Sequence, residues 1–285
     1  MTERFTKETV ELDTGVYVWL HHDLTNAGFV IGDKGVLIID SLRVPSFAKE
    51  LLSDIKRITN KPVTHVIDTH SHWDHSWGNE VFPDATIIGH QNCYNEMIDI
   101  EWNDAWRRSV MADKAPWSDE ASSVNITPPN LTYTTSMRLY FGQREIALHH
   151  LGRAHTSGDT FIHLPKERLL FTGDVAQSKG VPYFGDCYPE DWPLTDNNML
   201  ELDVERFTAG HGPVGTYAHL IEARDFIHQL IKLMKESKLE TKSESESVLR
   251  VREALRPEFG EWRGFDRIDQ GLAWVYQKIS PVGGA

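Results

Sequence analysis

The sequence predicts an α/β protein built as an αββα sandwich, in which two sheets pack face to face and helices cover their outer sides. Two observations lead to this fold class. Short strand-like segments are followed by a helical segment, a further strand and a polar loop, and a second group of short apolar segments repeats the strand pattern after residue 138. The chain of 285 residues, of which 40% are hydrophobic, is also long enough to bury a large core.

The first half of the sandwich can be traced element by element. Residues 10–20, 27–31 and 36–39 are rich in β-branched and aromatic residues, and turns containing Asp and Gly separate them, which predicts an antiparallel meander. A helix should follow, because Ala48, Leu51, Leu52, Ile55 and Ile58 recur at helical spacing. Asn60-Lys61-Pro62 ends this helix before a strand at residues 63–67.

The second half follows the same scheme. Short alternating or apolar segments, each ending at a turn, occupy residues 139–141, 145–150, 160–164 and 169–172. Two of these turns carry His155 and Asp174. Polar side chains are therefore displayed at the ends of strands in both halves.

Two segments exceed what a sandwich of this kind requires. We predict a principal domain over residues 1–217, with a helical insertion at about 92–130, and a C-terminal helical extension over residues 218–285. The extension should pack on the sandwich, and self-association into a homo-oligomer through its helices is the second expectation. Within it we expect a helix at residues 220–234, a flexible polar connector at 241–247, and helices at 248–255 and 268–279.

A dense group of potential metal ligands follows the strand at 63–67. The segment Thr69-His70-Ser71-His72-Trp73-Asp74-His75 contains three imidazoles and a carboxylate within six positions. Three more candidates lie at glycine-containing turns after predicted strands, namely His155, Asp174 and His211. Imidazole and carboxylate ligands without a nearby cysteine suit zinc, iron or manganese, and these groups are too many for one tetrahedral ion. The residues therefore predict two metal ions that share a bridging ligand.

The order of these groups, HxHxDH followed by a lone His, a lone Asp and a final His, resembles the metallo-β-lactamase fold superfamily over roughly residues 17–215. The resemblance implies the sandwich of that superfamily. It also divides the ligands into two sets and a bridge: His70, His72 and His155 for the first metal, Asp74, His75 and His211 for the second, and Asp174 between them.

These features predict a dinuclear metallohydrolase with two Zn²⁺ ions, although Fe or Mn also fits the ligands. Coordination lowers the pKa of water from roughly 15.7 to about 7, so that metal-bound hydroxide is the expected nucleophile. Asp74 is the candidate to accept the proton of that water. The resemblance implies cleavage of an ester, lactone, amide or related bond. The insertion with Trp102, Trp106 and Trp117, together with the net charge of −13, predicts a small, uncharged or weakly charged substrate with an apolar portion.

Other functions stay open at this stage. The superfamily that the chain resembles includes β-lactamases, so β-lactamase activity is one alternative. An iron-dependent oxidoreductase of the persulfide dioxygenase type carries a similar HxHxDH but uses one iron, whereas this chain keeps every ligand type of the second site. A non-catalytic binding module is disfavoured by the intact ligand set. The identity and number of bound metals would distinguish these alternatives.

Aromatic residues in two segments are candidates for substrate binding. Trp102, Trp106 and Trp117 lie in the insertion, where they could form a lid that holds an apolar group of the substrate. The competing interpretation is that Trp102 and Trp106, four residues apart, dock a helix on the core. After Asp174, Tyr183 or Tyr188 is a candidate to donate a hydrogen bond to a developing oxyanion, with structural packing as the alternative.

Several polar residues near the ligands are candidates for a supporting role. Asp40 and Asp68 stand at predicted strand ends, where they either orient a ligand imidazole or cap a turn. Thr156, Ser157 and Asp159 follow His155 and resemble the superfamily's HTxGD segment, which implies support rather than ligation.

The composition favours a small-molecule substrate over nucleic acid or a membrane as the binding partner. The net charge of −13 and the absence of basic patches disfavour nucleic acid, and no apolar run approaches the roughly 18 residues of a membrane span. The polar N-terminal residues lack a secretory signal, which predicts a cytoplasmic protein. Cys93 and Cys187 are expected to be buried free thiols.

Overall fold

The structure is a computed structural model that describes residues 6–22, 24–241 and 243–280. Its first sheet has seven strands whose spatial order is that of the chain. Neighbouring strands are antiparallel from the first to the fourth strand. From the fourth to the seventh strand they are parallel. The strands are β1 (Lys7–Asp13), β2 (Val16–His21), β3 (Ala27–Ile31), β4 (Val36–Ile39), β5 (Val63–Ile67), β6 (Thr86–His90) and β7 (Leu131–Tyr133).

The second sheet has six strands, again in the order of the chain. Its strands are antiparallel except for one parallel pair, formed by the fourth and fifth. The strands are β8 (Ser136–Phe141), β9 (Arg144–His149), β10 (Phe161–Leu164), β11 (Leu169–Phe171), β12 (Arg206–Thr208) and β13 (Gly215–Thr216).

The two sheets pack face to face through a shared apolar core. Val18, Ile39 and Ile67 of the first sheet belong to one buried cluster with Leu148 and Ile162 of the second. On the outer side of the first sheet, helix α1 (Pro45–Ile58) buries Ala48, Leu51 and Ile55 against Trp19, Phe29 and Ile38. The predicted αββα layers are therefore confirmed.

Helices also form the insertion and cover the second sheet. A four-residue helix α2 (Trp73–Ser76) lies in the histidine-rich segment, and a short 3-10 turn (Trp77–Val81) follows it. The insertion contains α3 (Gln91–Met97), α4 (Ile100–Ala112) and a second 3-10 turn (Ser118–Ser123). The outer face of the second sheet is covered by α5 (Trp192–Leu200), α6 (Tyr217–Glu240), α7 (Glu244–Phe259) and α8 (Ile268–Lys278), with a 3-10 turn (Phe265–Arg267) before α8.

The C-terminal helices pack on the sandwich, as the apolar spacing of the extension predicts. Phe226 of α6, Leu255 of α7 and Leu272 of α8 share one buried cluster with Phe161 and Phe207 of the second sheet. The domain division at residue 217 stays a prediction. Among the described residues, no helix is long and apolar enough to cross a membrane.

One prediction about the extension is wrong. Instead of a flexible connector over 241–247, the structure begins α7 at Glu244, immediately after Ser243. The hydroxyl of Ser243 accepts a hydrogen bond from the backbone N–H of Glu246, and acidic residues occupy the first turn of the helix. Both features stabilise a helix start. The alternating Ser and Glu residues therefore form a capped helix start, and not a linker.

Candidate metal centre

The seven predicted ligands lie at the ends of strands along one edge of the sandwich. The strand β5 leads into the segment that carries His70, His72, Asp74 and His75. The three other ligands follow strands of the second sheet, with His155 after β9, Asp174 after β11 and His211 after β12. An isolated antiparallel bridge between Thr25 and His211 connects the loop after β12 to the segment between β2 and β3.

The structure brings the residues predicted for the first metal together. Ligand atoms of His70, His72 and His155 all lie within 4.8 Å of one another, and the three side chains are buried. The Nε2 atom of His155 lies 2.9 Å from Nδ1 of His72. Three imidazole nitrogens that converge at this separation can ligate one transition-metal ion.

The residues predicted for the second metal form another group beside the first. Ligand atoms of Asp74, His75 and His211 also lie within 4.8 Å of one another. Asp174 lies between the two groups, because its Oδ2 is 3.8 Å from Nε2 of His155 and 3.2 Å from Nε2 of His211. Asp174 therefore lies within reach of a histidine of each group.

Unpartnered atoms show that these groups fit metal ions. Among the described residues, buried side-chain atoms without a hydrogen-bond partner include Nε2 of His70, Nε2 of His75 and Oδ1 of Asp174. Buried polar atoms normally have partners, and leaving one unsatisfied costs about 1–3 kcal/mol. Ligation of metal ions would satisfy all three atoms, since imidazole nitrogens and carboxylate oxygens are metal donors.

Each ligand histidine uses its other ring nitrogen for a contact within the protein, which fixes the nitrogen left for a metal. These partners are the Thr69 hydroxyl for His70, Asp186 for His72, Asp40 for His75, and the backbone carbonyls of Tyr183 for His155 and Leu24 for His211, at distances of 2.8–3.0 Å. Donation to these acceptors leaves Nδ1 of His72, and Nε2 of the other four rings, facing the metal positions.

Asp40 lies directly behind the ligand loop. One of its oxygens accepts the backbone N–H of Thr69, and the other accepts the Thr69 hydroxyl and faces Nδ1 of His75, all at 2.8 Å. Its φ of +61° places it in the left-handed region, which is sparsely populated by residues other than glycine. Asp68 differs, because its carboxylate accepts a hydrogen bond from Asn79 at 2.9 Å and has no contact with a ligand imidazole among the described residues.

Asp159 and Glu96 support the loop that carries His155. The Asp159 carboxylate accepts hydrogen bonds from the backbone N–H groups of Ala154 and Thr156, and from the Thr156 hydroxyl. Glu96 of α3 accepts hydrogen bonds from the hydroxyls of Ser71 and Ser157, and so connects the two ligand loops. Sequence reasoning missed Glu96, because no spacing relates a residue of the insertion to either motif.

Asp74 has a neighbouring pair of residues that the sequence also did not indicate. The Thr25 hydroxyl donates to Oδ2 of Asp74 at 2.7 Å, and Arg43 donates to the Thr25 oxygen at 2.9 Å. The Arg43 guanidinium is buried and lies 4.9–5.4 Å from the ring centroids of Phe47, Trp73 and Trp117. The Arg43 guanidinium, surrounded by three aromatic rings, is therefore linked to the Asp74 carboxylate through the Thr25 hydroxyl.

The two ligand groups differ in their tendency to bind protons. Burial, together with the nearby His72, lowers the pKa of His155 to about 3, so that the ring is neutral. Burial alone would also lower the pKa of His211, but the carboxylates of Asp174 and Asp74 raise it to about 9. Burial raises the pKa of Asp74, yet the nearby His75, His211 and Arg43 hold it well below its ordinary value.

Aromatic side chains line the first-metal side of the centre. The ring of His72 lies 6.3 Å from Trp102, 5.2 Å from Trp106 and 5.7 Å from Tyr183, measured between centroids. We call Trp102, Trp106 and Tyr183 the aromatic wall. Trp102 and Trp106 are partly buried and Tyr183 is exposed, whereas Asn103 and Val110 of α4 are buried. Trp106 also packs against the buried cluster that contains Val110, so this tryptophan contacts both the core and the ligand histidine.

The remaining aromatic candidates lie elsewhere. The ring centroid of Trp117 lies 5.4 Å from that of Phe47, and both rings are among the three that surround the Arg43 guanidinium. Tyr188 lies against the Arg153 guanidinium and lines a cavity of about 530 Å³ with Trp102 and Asp186. The hydroxyl of Tyr183 lies close to the backbone of Gly185. A Cβ added to Gly185 would be only 2.0 Å from this hydroxyl. Cys93 and Cys187 are buried free thiols, as the sequence predicts.

Two neighbouring groups of largely buried imidazole and carboxylate donors at one edge of an αββα sandwich are typical of a metal-dependent enzyme. The family model of the metallo-beta-lactamase superfamily matches residues 22–211, and the chain belongs to that superfamily. This match confirms the resemblance that the HxHxDH pattern indicates. It also includes all seven predicted ligands, from His70 to His211.

Known proteins show the same relationship at low identity. The chain is 24% identical to the metallo-beta-lactamase type 2 of Bacillus sp. (strain 170), over 74% of this chain and 79% of that protein. It is 27% identical to the 2,4-dinitroanisole O-demethylase subunit alpha of Nocardioides sp. (strain JS1661), over 63% of this chain and 50% of that protein. A solved metallo-beta-lactamase from Pontibacter korlensis shares the fold, with a TM-score of 0.63, 18% identity, and coverage of 78% of this chain and 99% of that one.

Proposed function

We propose that the protein is a dinuclear zinc hydrolase that cleaves an ester, lactone, amide or related bond in a small, partly apolar substrate. The observation that carries this proposal is the position of Asp174 between two groups of converging histidines. Two bound ions would supply a nucleophilic hydroxide near neutral pH and polarise the scissile carbonyl. Fe or Mn would also fit the donors, so the metal is part of the proposal.

The protein's own residues prepare the site for this chemistry. His70, His72 and His155 would hold the first ion, Asp74, His75 and His211 the second, and Asp174 both. Asp74 is also the candidate proton acceptor, although its depressed pKa favours its role as a ligand. The contacts behind each imidazole hold the donors in place before a substrate arrives.

The aromatic wall supports an apolar group in the substrate. Trp102, Trp106 and Tyr183 lie beside the buried ring of His72, and a flat or aliphatic group could pack on them while its scissile bond lies at the metals. A second candidate function is β-lactamase activity, which is favoured by the similarity to proteins named metallo-beta-lactamase type 2. The similarity to an O-demethylase adds aryl methyl ethers to the substrates worth testing.

Metal analysis combined with a substrate panel tests the proposal. The panel contains lactones, aryl esters, thioesters, amides, β-lactams and aryl methyl ethers. We expect about two zinc ions per chain, and turnover of at least one lactone, ester, thioester, amide or β-lactam. His72→Ala or His155→Ala should remove the first metal and abolish turnover. His228→Ala is the matched control, because this histidine lies on α6 and contacts the carbonyl of Pro193. A single iron with oxygen consumption during turnover would instead identify an oxidoreductase.

A further inference from the structure

One short segment contacts two of the three histidines predicted for the first metal. The backbone carbonyl of Tyr183 lies 3.0 Å from Nδ1 of His155, and Oδ2 of Asp186 lies 3.0 Å from Nε2 of His72. Each acceptor fixes the ring nitrogen that is left for a metal. We call residues 181–187 the acceptor segment. Its position determines how both imidazoles face the first metal.

The acceptor segment is attached to the C-terminal extension at several points. At its start, the backbone N–H of Val181 donates to the carbonyl of Arg263 at 2.9 Å. Further along, the ring of Tyr183 lies 5.0 Å from that of Trp274 in α8, measured between centroids. Phe184 shares a buried apolar cluster with residues of the same helix. The extension therefore supports the segment on which the two imidazoles depend.

Lys278, the last residue of α8, holds the peptide groups on both sides of Asp186. Its Nζ donates to the carbonyl of Gly185 at 2.5 Å and to that of Cys187 at 3.1 Å. An ammonium group has three N–H donors, and hydrogen bonds from a charged donor are stronger than those between neutral groups. Lys278 therefore restrains the backbone from which the Asp186 carboxylate extends.

The end of α8 is itself fixed, so Lys278 extends from a defined position. The Nζ of Lys238 in α6 donates to the carbonyls of Tyr276 and Ile279 at 2.6 and 2.7 Å. The side chain of Asp186, by contrast, is 39% exposed, so it is not enclosed by packing as the ligand rings are. A restraint on the backbone of Asp186 is therefore needed to keep its carboxylate against the ligand ring.

We propose that Lys278 is a positioning residue for the first metal, which acts by keeping Asp186 hydrogen-bonded to His72. This inference rests on the proposed dinuclear centre and adds a residue of the extension to it. Without the ammonium group, the Asp186 carboxylate is free to turn toward solvent, and the His72 ring loses the partner that leaves Nδ1 for the metal. The extension therefore sets the zinc affinity of the first site through one carboxylate.

Zinc affinity, measured by competition with a chromophoric chelator, tests this proposal without turnover. The first site is identified as the one that His72→Ala removes. Lys278→Met deletes both hydrogen bonds but keeps a long side chain. It should lower the affinity of the first site by about 10-fold, the lower end of the effect of losing a partner of a ligand histidine, and leave the second site unchanged. Lys278→Arg, which retains charged donors, should keep most of the affinity.

A double variant assigns the effect to Asp186. Asp186→Ala should lower the affinity of the first site by about 10- to 100-fold. Lys278→Met should cause no further loss in that background, because no carboxylate remains to be positioned. Lys61→Met is the matched control. Lys61 also donates to a backbone carbonyl, that of Gly32 at 2.7 Å, but it precedes β5, whereas the ligands follow this strand, so both affinities should stay unchanged.

The remaining outcomes separate this role from the metal centre itself. An unchanged affinity of the first site in Lys278→Met, or a further loss in the double variant, would refute the positioning role while two zinc ions still bind. A loss of equal size at both sites would indicate a general effect on the fold and would also refute it. Failure of the unaltered protein to bind zinc would refute both the centre and the role that depends on it.

Discussion

A single carboxylate oxygen of Asp40 lies 2.8 Å from Nδ1 of His75 and 2.8 Å from the hydroxyl of Thr69. It therefore orients a ligand imidazole and the start of the ligand loop together. We predict that Asp40→Asn lowers the affinity of the second site for zinc by about 10- to 100-fold, as is typical when a partner of a ligand histidine is lost. Competition with a chromophoric chelator measures this change.

Asp84→Asn is the control for that experiment. Asp84 is exposed in the turn before β6, and the same substitution there should leave both zinc affinities unchanged. If Asp40→Asn bound two ions as tightly as the unaltered protein, the contact with His75 would have no role in metal binding.

The aromatic wall leads to a kinetic prediction. Trp102→Ala and Trp106→Ala should each raise KM for an aryl substrate by about 10-fold with little change in kcat, because packing made equally in the ground and transition states affects binding alone. Steady-state kinetics on the best substrate of the panel checks this. Tyr140→Ala, which removes an aromatic residue that is 70% exposed on β8, should leave both parameters unaltered. An unchanged KM in both tryptophan variants would mean that these rings serve the fold only.

Zinc uptake should depend on pH at one of the two sites. In metal-free protein the pKa of His211 is about 9, since Asp174 and Asp74 outweigh the effect of burial, so its ring is protonated at pH 7. A proton must leave before the second metal binds, and the affinity therefore rises as the pH is raised from 7 to 9. His155, with a pKa of about 3, is already neutral over this range, so binding by the first group should change little.

Titration of metal-free protein at pH 7, 8 and 9 in buffers of different ionisation enthalpy counts the protons released. We expect release in the second binding step and almost none in the first. Two steps with the same pH dependence would contradict the different proton affinities of the two ligand groups.

The caged Arg43 should contribute to stability. Its guanidinium lies 4.9 Å from the ring centroid of Trp117 and 5.3 Å from that of Trp73, and it donates to Thr25. Arg43→Ala removes these contacts and leaves a cavity, so we expect a loss of about 2–4 kcal/mol in the free energy of unfolding. Urea denaturation gives the value. Arg138→Ala, at an exposed arginine of β8 paired with Glu145, should change it by less than about 1 kcal/mol.

The convergence of the candidate ligands could be predicted from sequence because each is tied to a local signal. His155 and Asp174 follow apolar strand segments and stand in glycine-containing turns, and the histidine-rich segment is contiguous. Strand ends of one sandwich edge are brought together by the topology, so local signals suffice. The fold was predictable for the same reason, since β-branched runs and helical spacing mark the layers.

The supporting residues could not be predicted in this way. Glu96, Asp186 and Arg263 reach the centre from the insertion, the loop before α5 and the extension, and no spacing relates them to the ligands. Their roles depend on tertiary packing over long sequence separations. The supposed connector at 241–247 shows the opposite error, in which polar composition concealed a helix start capped by Ser243.

Because Arg263 lies in the C-terminal extension, it is synthesised later than the predicted metal ligands. A nascent chain emerges from the ribosome N-terminus first, so every metal ligand up to His211 is available before Arg263 is synthesised. Until α6, α7 and α8 have also emerged, the apolar side chains of Phe161 and Phe207 lack the helices that cover them. Premature termination within the extension would therefore yield a chain with all its histidines in place, an uncovered sheet face and a strong tendency to aggregate.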